Sequence, residues 1–412
     1  MSGESFRLDY AACRDLLARR LAEPAPGRIQ LLTGPRQVGK TTLLLWLQTR
    51  IGGTAIYAAG DGPEAGLPGF WERIWAEAEE RALASGRAVL LIDEIQHLAR
   101  WAERLKSQWD RIRRRQVPLH VVASGSSALR FGSGAKESLA GRFERMNLAH
   151  WPAAALAREL KVPSKAAPDQ IVRFGAYPGA QGLLKEPERW RAYIRDAILE
   201  PAIGRDILAL ASVRRPPLLR QVFALCATMP AQVVSLQKLQ GQLQDRGALE
   251  TIAHYLQLLE DAFLVAAIVK FAVHPLRRRA APPKLVVLNN ALLAATDPLG
   301  VPDPASDRSR FGRWVENACL AHAWNAGQHV TYWREEPLEV DGIISGSWGK
   351  WAVEIKLGPF DTRELRGLLE FCQRHSDYRP LVIAEESGTP PVARDAGIRV
   401  IPWRQFLMRG PA

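Results

Sequence analysis

Residues 34–41 have the types and spacing that bind the phosphates of a nucleotide. Gly34, Gly39, Lys40 and Thr41 satisfy the pattern G-x-x-x-x-G-K-[ST]. The glycines let successive backbone N–H groups turn toward a β-phosphate, Lys40 reaches the β- and γ-phosphates, and the Thr41 hydroxyl ligates Mg²⁺. We therefore predict that this segment binds ATP with Mg²⁺. The predicted contacts are Gly34, Pro35, Arg36, Gln37, Val38, Gly39, Lys40, Thr41 and Thr42.

Two acids follow an apolar stretch further along the chain. Residues 88–92 are all apolar, and Asp93 and Glu94 come directly after them. At the end of a strand, Asp93 can hold Mg²⁺ through water, and Glu94 can polarise an attacking water as a general base. An acidic pair is also common as a helix cap. Its position downstream of the phosphate-binding loop favours hydrolysis over binding alone.

Serines follow the next apolar stretch, residues 119–123. In a parallel sheet the hydroxyl of Ser124 or Ser126 would lie beside the γ-phosphate, where it can orient the attacking water. We predict Ser126 for this role. The alternative is an ordinary turn, since turns favour serine and glycine.

Two arginines, Arg142 and Arg145, stand just beyond these serines. An arginine displayed at the edge of this region can stabilise transition-state charge in a neighbouring subunit. We predict Arg142 for this role ahead of Arg145. A surface arginine held in a salt bridge is the alternative.

A second group of candidate residues lies near the carboxyl terminus. Asp341 is followed by the stretch Trp351–Lys356, in which Glu354 and Lys356 face the same side of a strand because side chains alternate. Asp341 and Glu354 can share a divalent metal ion, and Lys356 can stabilise or activate the attacking water. The pattern resembles the PD-(D/E)XK nuclease fold, and this resemblance implies a further acid, Glu316. A solvent-facing strand of alternating charge is the alternative.

Apolar patterns predict the elements that position the first group. We predict strands at 29–33, 54–58, 88–92 and 119–123, and helices at 41–47, 71–85 and 101–115. Strands alternating with helices are typical of an α/β fold with a parallel sheet. The sheet would bring the loop, the acids and the serines to one edge.

The rest of the chain changes in pattern twice. Helices dominate from 162 to 279, with three at 217–228, 235–244 and 249–259 before a strand at 263–269. Mixed α/β structure follows. It comprises helices at 314–326 and 361–373 and strands at 330–334, 338–344, 351–356 and 381–384. We predict three domains, 1–160, 161–280 and 281–412.

The composition indicates an ordinary globular protein of 412 residues, with 47% hydrophobic and 24% charged residues. A formal net charge of +12 favours polyanionic partners, above all nucleic acid, although an arginine-rich composition alone is the alternative. The four cysteines form no C-x-x-C pair, so neither a zinc site nor a disulfide framework is expected. Without a signal-peptide pattern or a long apolar run, we expect a cytoplasmic protein with no membrane segment.

These motifs resemble those of bacterial and archaeal AAA-superfamily ATPases that carry a C-terminal DUF4143 domain. The resemblance rests on the loop at 34–43, on Asp93–His97, on Ser124–Ser127, on Glu137–Arg142, and on Phe174–Gly179, in which Ala176 stands where glycine is common. It implies an AAA-type core that assembles into rings or smaller homo-oligomers. The chain differs from that family at Asn289 and Asn290, where relatives usually have an aspartate before Gly-Leu.

The helices of the middle region resemble a winged helix-turn-helix, whose third helix can enter a DNA major groove. The candidate contacts are Lys238, Arg246, Thr251 and His254. The leading hypothesis is an ATPase that binds duplex or branched DNA and couples hydrolysis to remodelling or translocation. The alternatives are a nucleotide-controlled switch that binds a protein partner, in signalling or defence, and an ATP-regulated, metal-dependent nuclease. In the switch, the C-terminal domain serves as sensor or effector. For the winged helix itself, the alternative to DNA contact is a module used only for protein packing.

Overall fold

A computed structural model of the chain describes residues 6–126, 139–208, 213–244, 248–272, 281–386, 393–394 and 397–411. The chain forms two compact units, Met1–Ala149 and His150–Ala412. The three predicted domain ranges remain a proposal. Among the described residues, no helix is both long and apolar enough to cross a membrane.

The first unit alternates strands and helices. Its strands are β1 Arg7–Leu8, β2 Ile29–Gly34, β3 Ala55–Ala59, β4 Ala88–Asp93, β5 Leu119–Ser126 and β6 Phe143–Leu148. Its helices are α1 Tyr10–Leu21, α2 Lys40–Ile51, α3 Phe70–Ser85 and α4 Trp101–Arg114.

The strands form one parallel sheet in the order β1-β6-β2-β5-β4-β3. Every residue of β2, β4 and β5 is buried, as expected for central strands covered on both faces. The predicted parallel α/β sheet is confirmed. Because parallel strands end at the same edge, Gly34, Asp93 and Ser126 finish β2, β4 and β5 side by side.

Helices α3 and α4 pack one face of this sheet. Buried Trp71 and Trp75 of α3 join Leu105 and Ile112 of α4 in one apolar cluster with the strand side chains. Burying an aromatic or aliphatic side chain of this size stabilises a fold by roughly 1.5–3 kcal/mol. The apolar packing therefore fixes the strand ends that carry the candidate residues.

The second unit begins with helices and ends with a mixed sheet. Its helices are α5 Ala153–Glu159, α6 Ala167–Phe174, α7 Pro187–Ala192, α8 Pro216–Thr228, α9 Leu236–Gln242, α10 Leu249–Asp261, α11 Asn290–Thr296, α12 Arg308–Asn325, α13 Arg366–Arg374 and α14 Trp403–Arg409. Two π-helical segments lie at Tyr193–Leu199 and Ala202–Ile207. Its strands are β7 Gln232–Val233, β8 Val265–Ile268, β9 Lys284–Val287, β10 His329–Glu335, β11 Leu338–Gly346, β12 Gly349–Lys356, β13 Arg379–Ala384 and β14 Arg399–Pro402.

These strands form two sheets. Strands β7, β9 and β8 pair antiparallel in that order. Strands β10 to β14 pair in sequence, antiparallel from β10 to β12 and parallel from β12 to β14. The predicted helical middle and mixed α/β carboxyl-terminal region are confirmed. Helix α13 begins at Arg366 rather than 361, because the Asp361 carboxylate accepts hydrogen bonds from the backbone N–H groups of Arg363 and Glu364 in a preceding turn.

Asn289 organises a buried network. Its Oδ1 accepts from the backbone N–H of Ala291, at 3.1 Å, and of Ala176, at 3.2 Å. This fixes the side-chain amide, so Nδ2 donates to His150 Nδ1 at 3.1 Å. The other ring nitrogen of His150 lies 2.9 Å from the carbonyl oxygen of Phe263 and donates to it. The network therefore holds His150 as one neutral tautomer.

Acid should destabilise the second unit through His150. Burial lowers the pKa of His150 to about 4, against 6.5 for an exposed imidazole. Because the unfolded chain takes up this proton more readily than the folded chain, the free energy of unfolding is highest above pH 6.5 and falls as the pH drops toward 4. The loss from this one group is up to about 3 kcal/mol. Between these pH values, the melting temperature should fall with decreasing pH in wild type and should fall less in His150→Gln. The exposed-site control His254→Gln should keep the wild-type slope, and equal slopes in wild type and His150→Gln would contradict the assignment.

Candidate functional site

Two glycines shape the loop between β2 and α2. Gly39 has φ of 97°, a left-handed conformation that side chains disfavour. At Gly34, a Cβ atom would lie 2.2 Å from the carbonyl oxygen of Leu148, closer than any real contact. Both positions therefore require glycine for a backbone reason, and the loop turns directly into the amino terminus of α2.

Lys40 is the first residue of α2 and is only 5% exposed. Its Nζ donates to the carbonyl oxygens of Gly34, at 3.1 Å, and of Pro35, at 2.9 Å. The ammonium thus lies inside the loop, at the positive end of a 12-residue helix. Thr41 and Thr42 are exposed at the same helix end. A cation, a helix amino terminus and exposed hydroxyl-bearing side chains together suit a phosphate group with Mg²⁺.

Asp93 is 2% exposed, and its carboxylate accepts hydrogen bonds from three donors. The Tyr57 hydroxyl donates to Oδ2 at 3.0 Å, and the Ser124 hydroxyl donates to Oδ1. The backbone N–H of Glu94 also donates to Oδ1, at 3.1 Å. Burial and the Asp93 charge raise the pKa of Tyr57, so the phenol stays protonated and keeps donating. The Asp93 carboxylate is therefore oriented before any ligand binds.

Glu94 has a left-handed backbone, with φ 47° and ψ 45°. This conformation is uncommon for residues other than glycine, and such strain clusters at functional sites. The carboxylate accepts a hydrogen bond from the side-chain amide of Gln96. The strained backbone and Gln96 together direct the Glu94 side chain at the strand end, next to Asp93.

The two serines of β5 have different surroundings. The Ser124 hydroxyl donates a hydrogen bond to Asp93. Ser126 pairs in register with Gly34 and is 4% exposed, and its Oγ has no hydrogen-bond partner among the described residues. A buried hydroxyl without a partner is costly unless a ligand satisfies it. Ser127 of this motif lies outside the described residues.

Arg142 lies at the opposite end of the sheet. It precedes Phe143, which pairs with Ile29 at the start of β2. Its Nε donates to Asp110 Oδ1 at 2.8 Å, and a second guanidinium nitrogen lies 3.3 Å from Oδ2. The structure therefore brings together the loop, the acids and Ser126, but places Arg142 away from them in a salt bridge.

Arg145 lies nearer the loop than Arg142, on β6, where its Nε donates to the Thr33 hydroxyl at 3.2 Å. Glu137 of the preceding motif lies outside the described residues. The role of either arginine in a neighbouring subunit stays a prediction.

The carboxyl-terminal candidates also come together. Asp341 and Glu354 lie on paired strands, beside the register pair Gly342 and Val353. Lys356 Nζ is 3.0 Å from Glu354 Oε1, while the Glu354 Oε2 atom is buried with no hydrogen-bond partner among the described residues. Asp341 Oδ2 accepts from the backbone N–H of Ile355 at 2.9 Å.

Sequence reasoning missed the central residue of this cluster, Lys284. Its side chain is 2% exposed, and Nζ lies 2.7 Å from Glu316 Oε1 and 3.2 Å from Asp341 Oδ1. Burial opposes its charge, but Glu316 and Asp341 outweigh burial and raise the pKa of Lys284. Burial and Asp341 in turn raise the pKa of Glu316 to about 7, and that of Glu354 to about 8. The only local signal was a lysine opening an otherwise apolar strand.

The acids of this cluster do not form a recognisable metal centre. In the part of the chain that the structure describes, no group of three or more His, Cys, Asp or Glu side chains is arranged to hold a metal ion. The ammonium of Lys284 lies where Glu316 and Asp341 converge. The metal role predicted for Asp341 and Glu354 therefore has a competing cation within the chain.

Three family models match successive parts of the chain. Residues 26–154 match a model described as an AAA domain. Residues 166–304 match a domain of unknown function, DUF8612, and residues 311–406 match the domain of unknown function DUF4143.

Whole-chain comparisons give distant similarities. An uncharacterized protein of Mycobacterium tuberculosis, and another of Mycobacterium bovis, are each 29% identical over 367 residues, covering 86% of this chain and 77% of theirs. Among solved structures, RuvB of Thermotoga maritima aligns at 19% identity and a TM-score of 0.36, covering 64% of this chain and 92% of RuvB. A DnaA structure of Aquifex aeolicus aligns at 14% identity and a TM-score of 0.32, covering 61% of this chain and 87% of DnaA.

Proposed function

We propose, from the premise that this chain contains an AAA domain followed by a DUF4143 domain, that the first unit binds and hydrolyses ATP at the loop Gly34–Thr41. The observation that carries the proposal is the meeting of three strand ends. The loop follows β2, the acids Asp93 and Glu94 end β4, and Ser126 ends β5 on the strand between them.

Each residue has a separate task in this proposal. Lys40 leaves the loop carbonyls for the β- and γ-phosphates, which offer charged acceptors. Thr41 and Asp93 would hold Mg²⁺, which neutralises charge on the phosphate oxygens. Glu94 accepts the proton of the attacking water. The Ser126 hydroxyl, buried beside Gly34, orients that water.

Phosphate release by the purified full chain tests the proposal. With ATP and Mg²⁺ the protein should release phosphate, and removing Mg²⁺ with EDTA should stop the release. A protein that binds ATP in an equilibrium assay and yet releases no phosphate would restrict the site to binding. Absence of both binding and release would overturn the proposal.

The two serines provide a matched pair of variants. Ser126→Ala should lower kcat by up to roughly ten-fold with little effect on ATP affinity, since a hydrogen bond between uncharged groups, here the hydroxyl and the water, contributes about 0.5–1.5 kcal/mol. Ser124→Ala removes a bond to Asp93 instead, so it should raise the Mg²⁺ concentration needed for half-maximal rate. Steady-state rates across an Mg²⁺ titration separate the two effects. Identical behaviour of both variants would contradict the division of roles.

DNA is the polyanion we propose as the stimulating partner, on the basis of the net charge of +12. The order α8, β7, α9, α10, β8, β9, with the sheet order β7-β9-β8, supports a winged helix. Lys238 and His254 are exposed there and Thr251 is half-buried, while Arg246 lies outside the described residues. Phosphate release with single-stranded, duplex and junction DNA tests the role, and an unchanged rate with all three would contradict it.

One observation favours the alternative, a nucleotide-controlled switch that binds a protein. Helix α10 carries Glu250, Glu260 and Asp261 and no lysine or arginine, which is unfavourable for a helix inserted between phosphates. The switch predicts oligomerisation that depends on nucleotide without stimulation by DNA. We propose homo-oligomers, rings or smaller, in either case, on the basis of the AAA domain. Light scattering with and without ATP measures the assembly.

A further inference from the structure

The acidic cluster of the second unit is built around a cation of the chain itself. Lys284 Nζ donates to three oxygen atoms: Glu316 Oε1 at 2.7 Å, the Asp341 carbonyl oxygen at 3.1 Å and Asp341 Oδ1 at 3.2 Å. An ammonium has three N–H donors, and these three acceptors account for all of them. The Lys284 side chain is 2% exposed, and the side chains of Glu316 and Asp341 are 20% and 16% exposed.

Three of the four carboxylate oxygens of Asp341 and Glu354 already have partners, and the exception is the buried Glu354 Oε2. Asp341 Oδ1 accepts from Lys284, and Oδ2 accepts from the backbone N–H of Ile355 at 2.9 Å. Glu354 is paired with Lys356 at 3.0 Å. A Mg²⁺ ion bound to Asp341 requires oxygens at about 2.0–2.1 Å in octahedral geometry. It would then share an oxygen with a buried ammonium of like charge.

The three elements that meet at Lys284 come from different parts of the unit. Lys284 opens β9 of the three-stranded sheet, Glu316 lies on α12, and Asp341 lies on β11 of the five-stranded sheet. Replacing the lysine leaves two half-buried acids close together without their counter-ion, which is unfavourable where water is partly excluded. The ammonium therefore joins both sheets and a helix, as a structural metal ion would.

We propose that Lys284 takes the place of a divalent metal ion among Glu316 and Asp341, so that this nuclease-like cluster serves as a structural clamp and does not cleave nucleic acid. The inference concerns the second unit alone. It does not depend on ATP hydrolysis by the first.

Thermal unfolding of the nucleotide-free full chain with and without Mn²⁺ tests the clamp. Wild type and Asp341→Asn should respond equally to Mn²⁺, because no metal uses Asp341. A Mn²⁺-dependent rise in the melting temperature of wild type that Asp341→Asn abolishes would overturn the proposal. Mn²⁺-dependent cleavage of DNA by wild type, lost in Asp341→Asn, would also overturn it.

Removing the ammonium provides the complementary test. Lys284→Met should melt below wild type without Mn²⁺ and regain stability with it, and the double variant Lys284→Met with Asp341→Asn should not regain it. The control Lys350→Met, at an exposed lysine paired with Asp377, should behave as wild type. A folded Lys284→Met protein indifferent to Mn²⁺ would contradict the proposal. If Lys284→Met does not fold, the comparison of wild type with Asp341→Asn decides alone.

Discussion

Lys40→Ala should lower the kcat of ATP hydrolysis by about 100-fold or more, the effect of removing one preorganised charge donor from a reacting centre. Lys40 is placed for this role, since its Nζ lies inside the loop at 3.1 and 2.9 Å from the Gly34 and Pro35 carbonyl oxygens. ATP affinity should fall as well, because the same charge contacts bound phosphates. Phosphate release and equilibrium binding of a fluorescent ATP analogue measure the two effects.

The matched variants separate charge from loop structure. Lys40→Met retains the length of the side chain without the charge and should resemble Lys40→Ala. Lys185→Ala removes an exposed lysine of the second unit and should hydrolyse ATP at the wild-type rate. Circular dichroism should show the same secondary structure in all three. Hydrolysis by Lys40→Met within a few-fold of wild type would count against the phosphate role of Lys40.

Glu94→Gln should lower kcat by roughly 100-fold to 10,000-fold while leaving ATP affinity nearly unchanged, since a general base acts on the water and not on the nucleotide. Glutamine has nearly the same shape as glutamate and can retain a hydrogen bond with Gln96. The strained backbone at residue 94 is therefore expected to persist. Single-turnover hydrolysis and equilibrium binding separate the chemical step from affinity.

Asp93→Asn provides the contrast for Glu94→Gln. It weakens the predicted Mg²⁺ contact, so excess Mg²⁺ should partly restore its rate, whereas Glu94→Gln should stay inactive at every Mg²⁺ concentration. A Glu94→Gln protein that hydrolyses ATP as fast as wild type would exclude Glu94 as the base. Ser126 or another group would then have to position the water.

The central strands could be predicted because their sequence signal is local. Strands β2, β4 and β5 are continuous apolar runs, and the glycine-rich loop follows the first of them directly. Strand β6 was missed because Glu144 and Arg145 interrupt its apolar pattern. Glu144 is stabilised by Arg20 and Arg28, each at 3.1 Å, and these contacts cannot be read from neighbouring residues.

The site shows the same division between local and distant contacts. The loop, Asp93 and Glu94 follow from their positions after apolar strands. Tyr57, which orients Asp93 from a neighbouring strand, and Lys284, which lies 57 residues before Asp341, carry no motif of their own. Their roles arise from strand pairing and packing, which bring together residues that are far apart in sequence.

The position of Lys284 limits where the DUF4143 segment can be joined to another protein. The lysine falls within the DUF8612 range, whereas its two carboxylate partners fall within the DUF4143 range. A DUF4143 segment transplanted without strand β9 would carry two half-buried acids that lack their counter-ion. We therefore expect successful chimaeras between such proteins to have their junction before residue 284 and not at the boundary between the two ranges.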